Sequence, residues 1–280
     1  MKIINTQILC EAGDFANEDA AGINEYGAWL LDGATGLGGA NLTGGNSDAQ
    51  WYTKWWDSYL SLNMKNDMPL SEIITKGIIK VKTDFNNALI GEPGSRLDYP
   101  SSSIAALKWH DDCIEYFSLG DSPMLIQGKG GLKEITDRKL SALDQKVYDA
   151  MNHLIAGKHI SAWDTKKYVL PMIKEHRMLL NTEEGYWILG FDTEAVKKAS
   201  QGIINLIEPV KILMASDGFS ALTDKYHMIE KENFISLVEK KGLPLLYENL
   251  RAMENKDKEG INYPRFKKSD DASAIYLEIT

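Results

Sequence analysis

Cysteine is nearly absent from this chain: 280 residues hold two, Cys10 and Cys113, and neither has a second Cys or a His at zinc-finger spacing. That excludes a disulfide framework and a structural zinc site, and both thiols read as buried apolar groups in a reducing compartment. Long hydrophobic runs are missing too, since no stretch approaches the ~20 apolar residues that cross a bilayer. The segment Met1–Leu9 alternates in character and lacks the apolar core and small-residue cleavage site of a signal peptide, so it reads as a strand of a cytoplasmic protein. Basic residues are outnumbered: 31 Lys and Arg against 40 Asp and Glu leave a net charge of -9. That balance argues against a nucleic acid or an anionic membrane as partner. No Gly-x-Ser-x-Gly elbow surrounds Ser101-Ser102-Ser103, which reads as the start of a strand. None of the five histidines sits in a recognisable catalytic pattern.

Aspartates at the edges of apolar runs are what the chain does have. Asn17-Glu18-Asp19-Ala20, Leu31-Asp32-Gly33-Ala34, Ser216-Asp217-Gly218 and Ser269-Asp270-Asp271-Ala272-Ser273 lie far apart in sequence. The runs Trp29–Leu31, Ile212–Ala215 and Ala274–Leu277 beside them read as buried strands. Carboxylates delivered from several strand ends to one place repel each other unless cations bind between them. Oxygen-only ligands suit Mg²⁺ or Mn²⁺, and a pair of such ions bridged by one aspartate is an apparatus for hydrolysing a phosphate ester. The first functional reading is therefore a metal-dependent phosphatase.

With 44% apolar and 25% charged residues, the chain can bury one large core, and a single domain over 1–280 is expected. Strands are expected at 2–9, 26–32, 102–109, 113–119 and 123–127, with His110-Asp111-Asp112 closing a hairpin. Asp48–Met64 reads as a helix whose tryptophans fill a helix-to-sheet interface. A second helix starts from an expected Ser71 N-cap and presents Ile74, Ile78, Val81 and Phe85 on one face. Between about 130 and 200 the period turns helical, at Asp144–Gly157 and Asp164–Leu180, after a flexible Gly128–Gly131 entry; this segment reads as a helical insertion. Strand 211–216, helices 230–240 and 243–254 and strand 273–279 complete the chain, with the lysine-rich 255–269 as an exposed connection. The order fits a layered α+β domain.

Six segments then carry a resemblance: Asn-Glu-Asp-Ala (17–20), Asp-Gly-Ala-Thr-Gly (32–36), Ser-Ser-Ser-Ile-Ala-Ala (101–106), Leu-Gly-Asp-Ser (119–122), Ala-Ser-Asp-Gly-Phe (215–219) and Asp-Asp-Ala-Ser-Ala-Ile (270–275). In this order, across nearly the whole chain, they resemble the metal-dependent Ser/Thr protein phosphatases of type 2C, the PPM family, in a divergent bacterial-type form. The resemblance implies a four-layer α-β-β-α sandwich, two central antiparallel sheets flanked by helix pairs, with a binuclear Mg²⁺ or Mn²⁺ centre at one end. It implies that Asp32 bridges the ions, that Gly33 offers its carbonyl, that Asp217 and Asp270 hold one ion, and that Glu18 and Asp19 act directly or through water. Asp32, Asp217 and Asp270 would be the catalytic set. Asp121 matches a ligand of a weaker third ion, and reads equally as a turn residue between two strands. The implied substrate is a phosphoserine or phosphothreonine protein, met by a monomer.

Three positions depart from the family pattern. Asp14 stands where the phosphate-binding arginine is expected, Ala34 where a histidine follows Asp-Gly, and Ala221 where a partner for Asp121 belongs. Arg96, Arg138 and Arg177 are the candidate replacements for the arginine. Two alternatives follow from these departures: a degenerate domain that binds a phosphoprotein without hydrolysing it, and a phosphatase of a small phosphorylated metabolite.

Overall fold

The computed structural model describes residues 1–280. Ten strands form two five-stranded antiparallel sheets. One has the order β1 (Ile3–Glu11), β10 (Ala272–Ile279), β9 (Val210–Ala215), β6 (Met124–Gly128), β7 (Gly131–Ile135). The other runs β2 (Ala20–Asn24), β3 (Gly27–Ala34), β4 (Ser101–Trp109), β5 (Cys113–Leu119), β8 (Ser200–Asn205). The central strands are apolar on both faces because both faces are covered. On β10, Ile275 and Leu277 meet Ala105, Leu107 and Met124 between the sheets, while Ala274 and Tyr276 point outward against helices. On β3, Leu30 enters the inter-sheet core and Trp29 and Leu31 face the opposite helix layer.

Helices α1 (Asp48–Asn63) and α2 (Leu70–Ala88) cover the second sheet, and α5 (Asp217–Asp224), α6 (Lys231–Lys241) and α7 (Leu243–Lys256) cover the first. The result is the expected α-β-β-α sandwich. Trp56 and Tyr52 are fully buried in the helix-to-sheet interface, as their spacing implies. The remaining pair, α3 (Arg138–Lys158) and α4 (Ala162–Met178), packs around its own small core of Val147, Met151, Ile155, Ala162 and Val169.

Several local expectations are corrected. The N-cap of α2 is Pro69, with no side-chain cap; the Leu70 N–H is met instead by Glu115 Oε1 at 2.9 Å, from the sheet, so Ser71 is free to lie inside the helix. Gly128–Gly131 is a tight hairpin turn between β6 and β7, with Gly131 at φ +96°, and not a flexible entry. Cys10 and Cys113 are half-buried. The 255–269 segment is anchored: Arg265, 5% exposed, donates to Asp257 Oδ2 and to the carbonyls of Glu254, Asp257, Tyr263 and Lys268. No helix is long and apolar enough to cross a membrane.

Candidate active site

The acidic segments meet at one end of the sandwich because the strand registers bring their ends together. Asp32 lies opposite Ser103 near the end of β3. At the end of β9, the Ser216 N–H donates to the Ser273 carbonyl and the Ser273 N–H donates to Ser216 Oγ, both at 2.9 Å. This clasp sets Asp217, the first residue of α5, beside the 270–271 pair. The Asp217 N–H then donates to Asp32 Oδ2 at 3.1 Å, joining the two sheets across the site. A Cβ on Gly218 would lie 1.9 Å from the Asp271 carbonyl oxygen, and one on Gly33 2.2 Å from that of Glu18, so both glycines permit the backbones to close on the acids.

Asp32, Gly33, Glu18, Asp121, Asp217 and Asp270, all expected as ligands, line one open cleft of about 560 Å³, and buried Asp19 stands behind them. Glu18 Oε1 accepts from Thr35 Oγ1 at 2.5 Å. Asp19 Oδ2 is buried without any hydrogen-bond partner. Asp271 acts on the backbone instead. Its two carboxylate oxygens accept the N–H groups of Gly13 and Glu18, both at 2.8 Å, and so hold the loop that carries the first acidic segment. Gly120 adopts φ +93° and makes the turn between β5 and β6, so Asp121 is a turn residue and also faces the other acids. Ala221 is buried in the helical layer below.

Burial pushes the carboxyls of Asp19, Asp32, Asp121 and Asp217 upward, and their mutual repulsion adds to it. Such a cluster is costly to hold without counter-cations. As the side chains stand, no group of three or more His, Cys, Asp or Glu residues is arranged to hold an ion. The donor set nevertheless suits a hard cation: all oxygen, self-repelling, with one buried carboxylate oxygen left unpaired.

The backbone as a whole is similar to known structures. The serine/threonine phosphatase PstP/Ppp of Mycobacterium tuberculosis matches with TM-score 0.59 and 12% identity over 99% of each chain. Stp1 of Staphylococcus aureus matches with TM-score 0.56 and 15% identity over 100% of this chain and 96% of that one. The PPM Ser-Thr phosphatase MsPP of Mycobacterium smegmatis matches with TM-score 0.56 and 10% identity over 100% of both. This chain has the PPM phosphatase fold. No protein-family model matches the sequence, and no curated protein matches it. At these identities the PPM likeness speaks for the fold, and the chemistry rests on the residues themselves.

Three cleft residues stand out that sequence reasoning did not place. Arg177, on α4, donates to Ser101 Oγ at 3.0 Å and to the Thr35 carbonyl at 3.4 Å, so it grips the chain just beyond Asp32. Of the other two candidate arginines, Arg96 is spent on the Leu180 carbonyl and Arg138 on Glu134. Asp144, on α3, faces the floor, and burial followed by repulsion from Asp217 raises its carboxyl to about 7. Lys267 pairs with Asp270 at 2.8 Å. His176 also lines the cleft, with Nδ1 buried and unpartnered. No local signal marks these residues, because α3, α4 and the 265–269 segment reach the site only through tertiary packing.

Proposed function

We propose that this chain is a metal-dependent phosphoric monoester hydrolase acting on phosphoserine or phosphothreonine in proteins. The observation that carries the reading is the cluster of mutually repelling aspartates, brought from separate strand ends onto one open cleft, with the buried Asp19 Oδ2 left unpaired behind them. Asp32, Asp217, Asp270 and the Gly33 carbonyl would hold Mg²⁺ or Mn²⁺, with Glu18 and Asp19 direct or water-mediated and Asp121 available to a weaker ion. Bound there, such ions lower the pKa of water and neutralise charge on the phosphoryl group. The protein's own part is to fix geometry. The Asp217 N–H orients Asp32, Asp271 holds the Glu18 loop, and Arg177 ties α4 to the floor.

The walls support a polypeptide over a small metabolite. Leu140, Leu170, Ile173 and Phe266 line the cleft, and Phe15 at its rim is 76% exposed. Residues 138–178 carry eight Lys and Arg against four Asp and Glu, on a chain whose net charge is -9. Of these cations Lys166 and Arg177 line the cleft, and this partly apolar wall opposite an acidic floor suits a phosphorylated side chain flanked by apolar residues.

The non-hydrolytic alternative, a phosphoprotein-binding domain, draws support from Asp14 and Ala34. One experiment separates the readings: turnover of p-nitrophenyl phosphate and of a phosphothreonine peptide with Mn²⁺, with Mg²⁺ and with EDTA. The phosphatase reading predicts metal-dependent turnover with the higher kcat/KM on the peptide. A higher kcat/KM on small phosphomonoesters contradicts the protein substrate. Peptide binding without turnover favours the alternative.

A further inference from the structure

Three cationic side chains line the cleft, and they differ in how they are committed. Arg177 is held by Ser101 and the Thr35 carbonyl, and Lys166 pairs with none of the floor carboxylates. Lys267 alone among them stands on the floor itself. Its ammonium carries three N–H groups; one points at Asp270 Oδ1 at 2.8 Å, Glu18 Oε2 lies 4.0 Å away, and the side chain keeps 33% of its surface open. It therefore has donors to spare toward the same cleft that Asp32 and Asp217 line.

The backbone presents this lysine rigidly. Two residues earlier, Arg265 is buried and pinned by Asp257 and four carbonyls. Phe266 stacks on Tyr148 with ring centroids 5.1 Å apart. Two residues later, Ser269 exchanges hydrogen bonds with Asp14: the Asp14 N–H donates to the Ser269 carbonyl at 3.1 Å and the Ser269 N–H donates to Asp14 Oδ2 at 3.0 Å. Asp14 is thus a clamp on the Lys267 segment, and its own charge repels any anion that enters.

We propose that Lys267 is the cation that docks the phosphoryl group of the substrate, exchanging its contact with Asp270 for one with a phosphoryl oxygen. The inference rests on the phosphatase reading and names the side chain that holds its substrate. Beside the ions that the aspartates would hold, an ammonium with unused donors offers the phosphoryl dianion a further charged contact from the protein itself. No bond to lysine forms and no proton leaves it.

The test is a comparison of wild type, Lys267→Met and Lys267→Arg in Mn²⁺. The measurements are KM and kcat for p-nitrophenyl phosphate, inorganic phosphate binding by calorimetry, and the Mn²⁺ titration midpoint. Loss of one charge-assisted contact weakens phosphate binding and raises KM by about tenfold or more, with a smaller change in kcat, an Mn²⁺ midpoint no weaker than wild type, and recovery in Lys267→Arg. A lysine that merely positions Asp270 would instead weaken the Mn²⁺ midpoint and leave KM and phosphate binding in place; that result overturns the proposal. Wild type that binds phosphate through Lys267 without turning over any ester would remove the hydrolase reading and keep the docking site. Equal phosphate binding in wild type and Lys267→Met, or none in either, overturns the docking site whatever the turnover.

Discussion

Asp144→Asn should stabilise the metal-free protein, and the gain should grow with pH. The Asp144 carboxyl is raised from an ordinary 3.8 to about 7 by burial and by Asp217, against partial relief from Lys225 and Arg177. A folded-state value above the unfolded one means that the native state resists ionisation. The carboxyl is therefore harmless below about pH 4, increasingly destabilising as pH rises toward 7, and fully destabilising above that. Three units at about 1.36 kcal/mol each set a ceiling of ~4 kcal/mol. Asp144 is partly solvated and asparagine still has to be buried, so ~1–2 kcal/mol is the realistic gain once screening is allowed for. At roughly 2–4 °C per kcal/mol this is a rise in Tm of ~2–8 °C. Urea and thermal unfolding of both proteins in EDTA, at about pH 5 and about pH 8, would show it, with the difference shrinking at the lower pH. A destabilised Asp144→Asn protein, or a gain independent of pH, would refute the claim that Asp144 belongs to the repelling cluster.

Other perturbations act on the scaffold under the acids. Asp271→Ala strands the Gly13 and Glu18 N–H groups, which should cost ~2–4 kcal/mol by urea unfolding and open the 12–18 loop to protease. Gly218→Ala places a Cβ against the Asp271 carbonyl; the shift of α5 should cost ~1–3 kcal/mol and reduce turnover further than stability alone explains, seen by thermal melts beside steady-state kinetics. Arg177→Ala releases α4 from Ser101 and Thr35, so KM for a phosphopeptide should rise more than KM for p-nitrophenyl phosphate.

The sandwich is legible in the sequence because its central strands are covered on both faces: Trp29–Leu31, Ile212–Ala215 and Ala274–Leu277 are unbroken apolar runs, as a doubly buried sheet requires. Short or edge strands leave a weaker trace. β2 is five residues with an internal glycine, β7 is five residues with Lys133 and Glu134 side by side, and β8 is exposed at every second position from Gln201. α5 is hidden because Ser-Asp-Gly at its start reads as a turn, and only the burial of the residues that follow reveals the helix. At the site, the aspartates are visible as motifs at strand ends, whereas Arg177, Asp144 and Lys267 are not. They arrive from helices and a connection whose path is set by long-range packing, such as Arg265 on Asp257 and Phe266 on Tyr148. The lysine-rich 255–269 segment shows the limit most plainly. Its composition indicates solvent, yet Arg265 is among the most buried charged residues of the chain.

The central claim is that the converging aspartates make this chain a metal-dependent phosphatase. Release of inorganic phosphate from a phosphothreonine peptide tests it most directly, followed in Mn²⁺, after EDTA, after Mn²⁺ is restored, and in Asp32→Asn with a native circular-dichroism spectrum. The expected result is turnover that EDTA abolishes, that Mn²⁺ restores, and that Asp32→Asn lowers by more than the roughly 100-fold typical of supporting contacts around a metal. Turnover that is indifferent to EDTA, or that survives in Asp32→Asn, would contradict the claim.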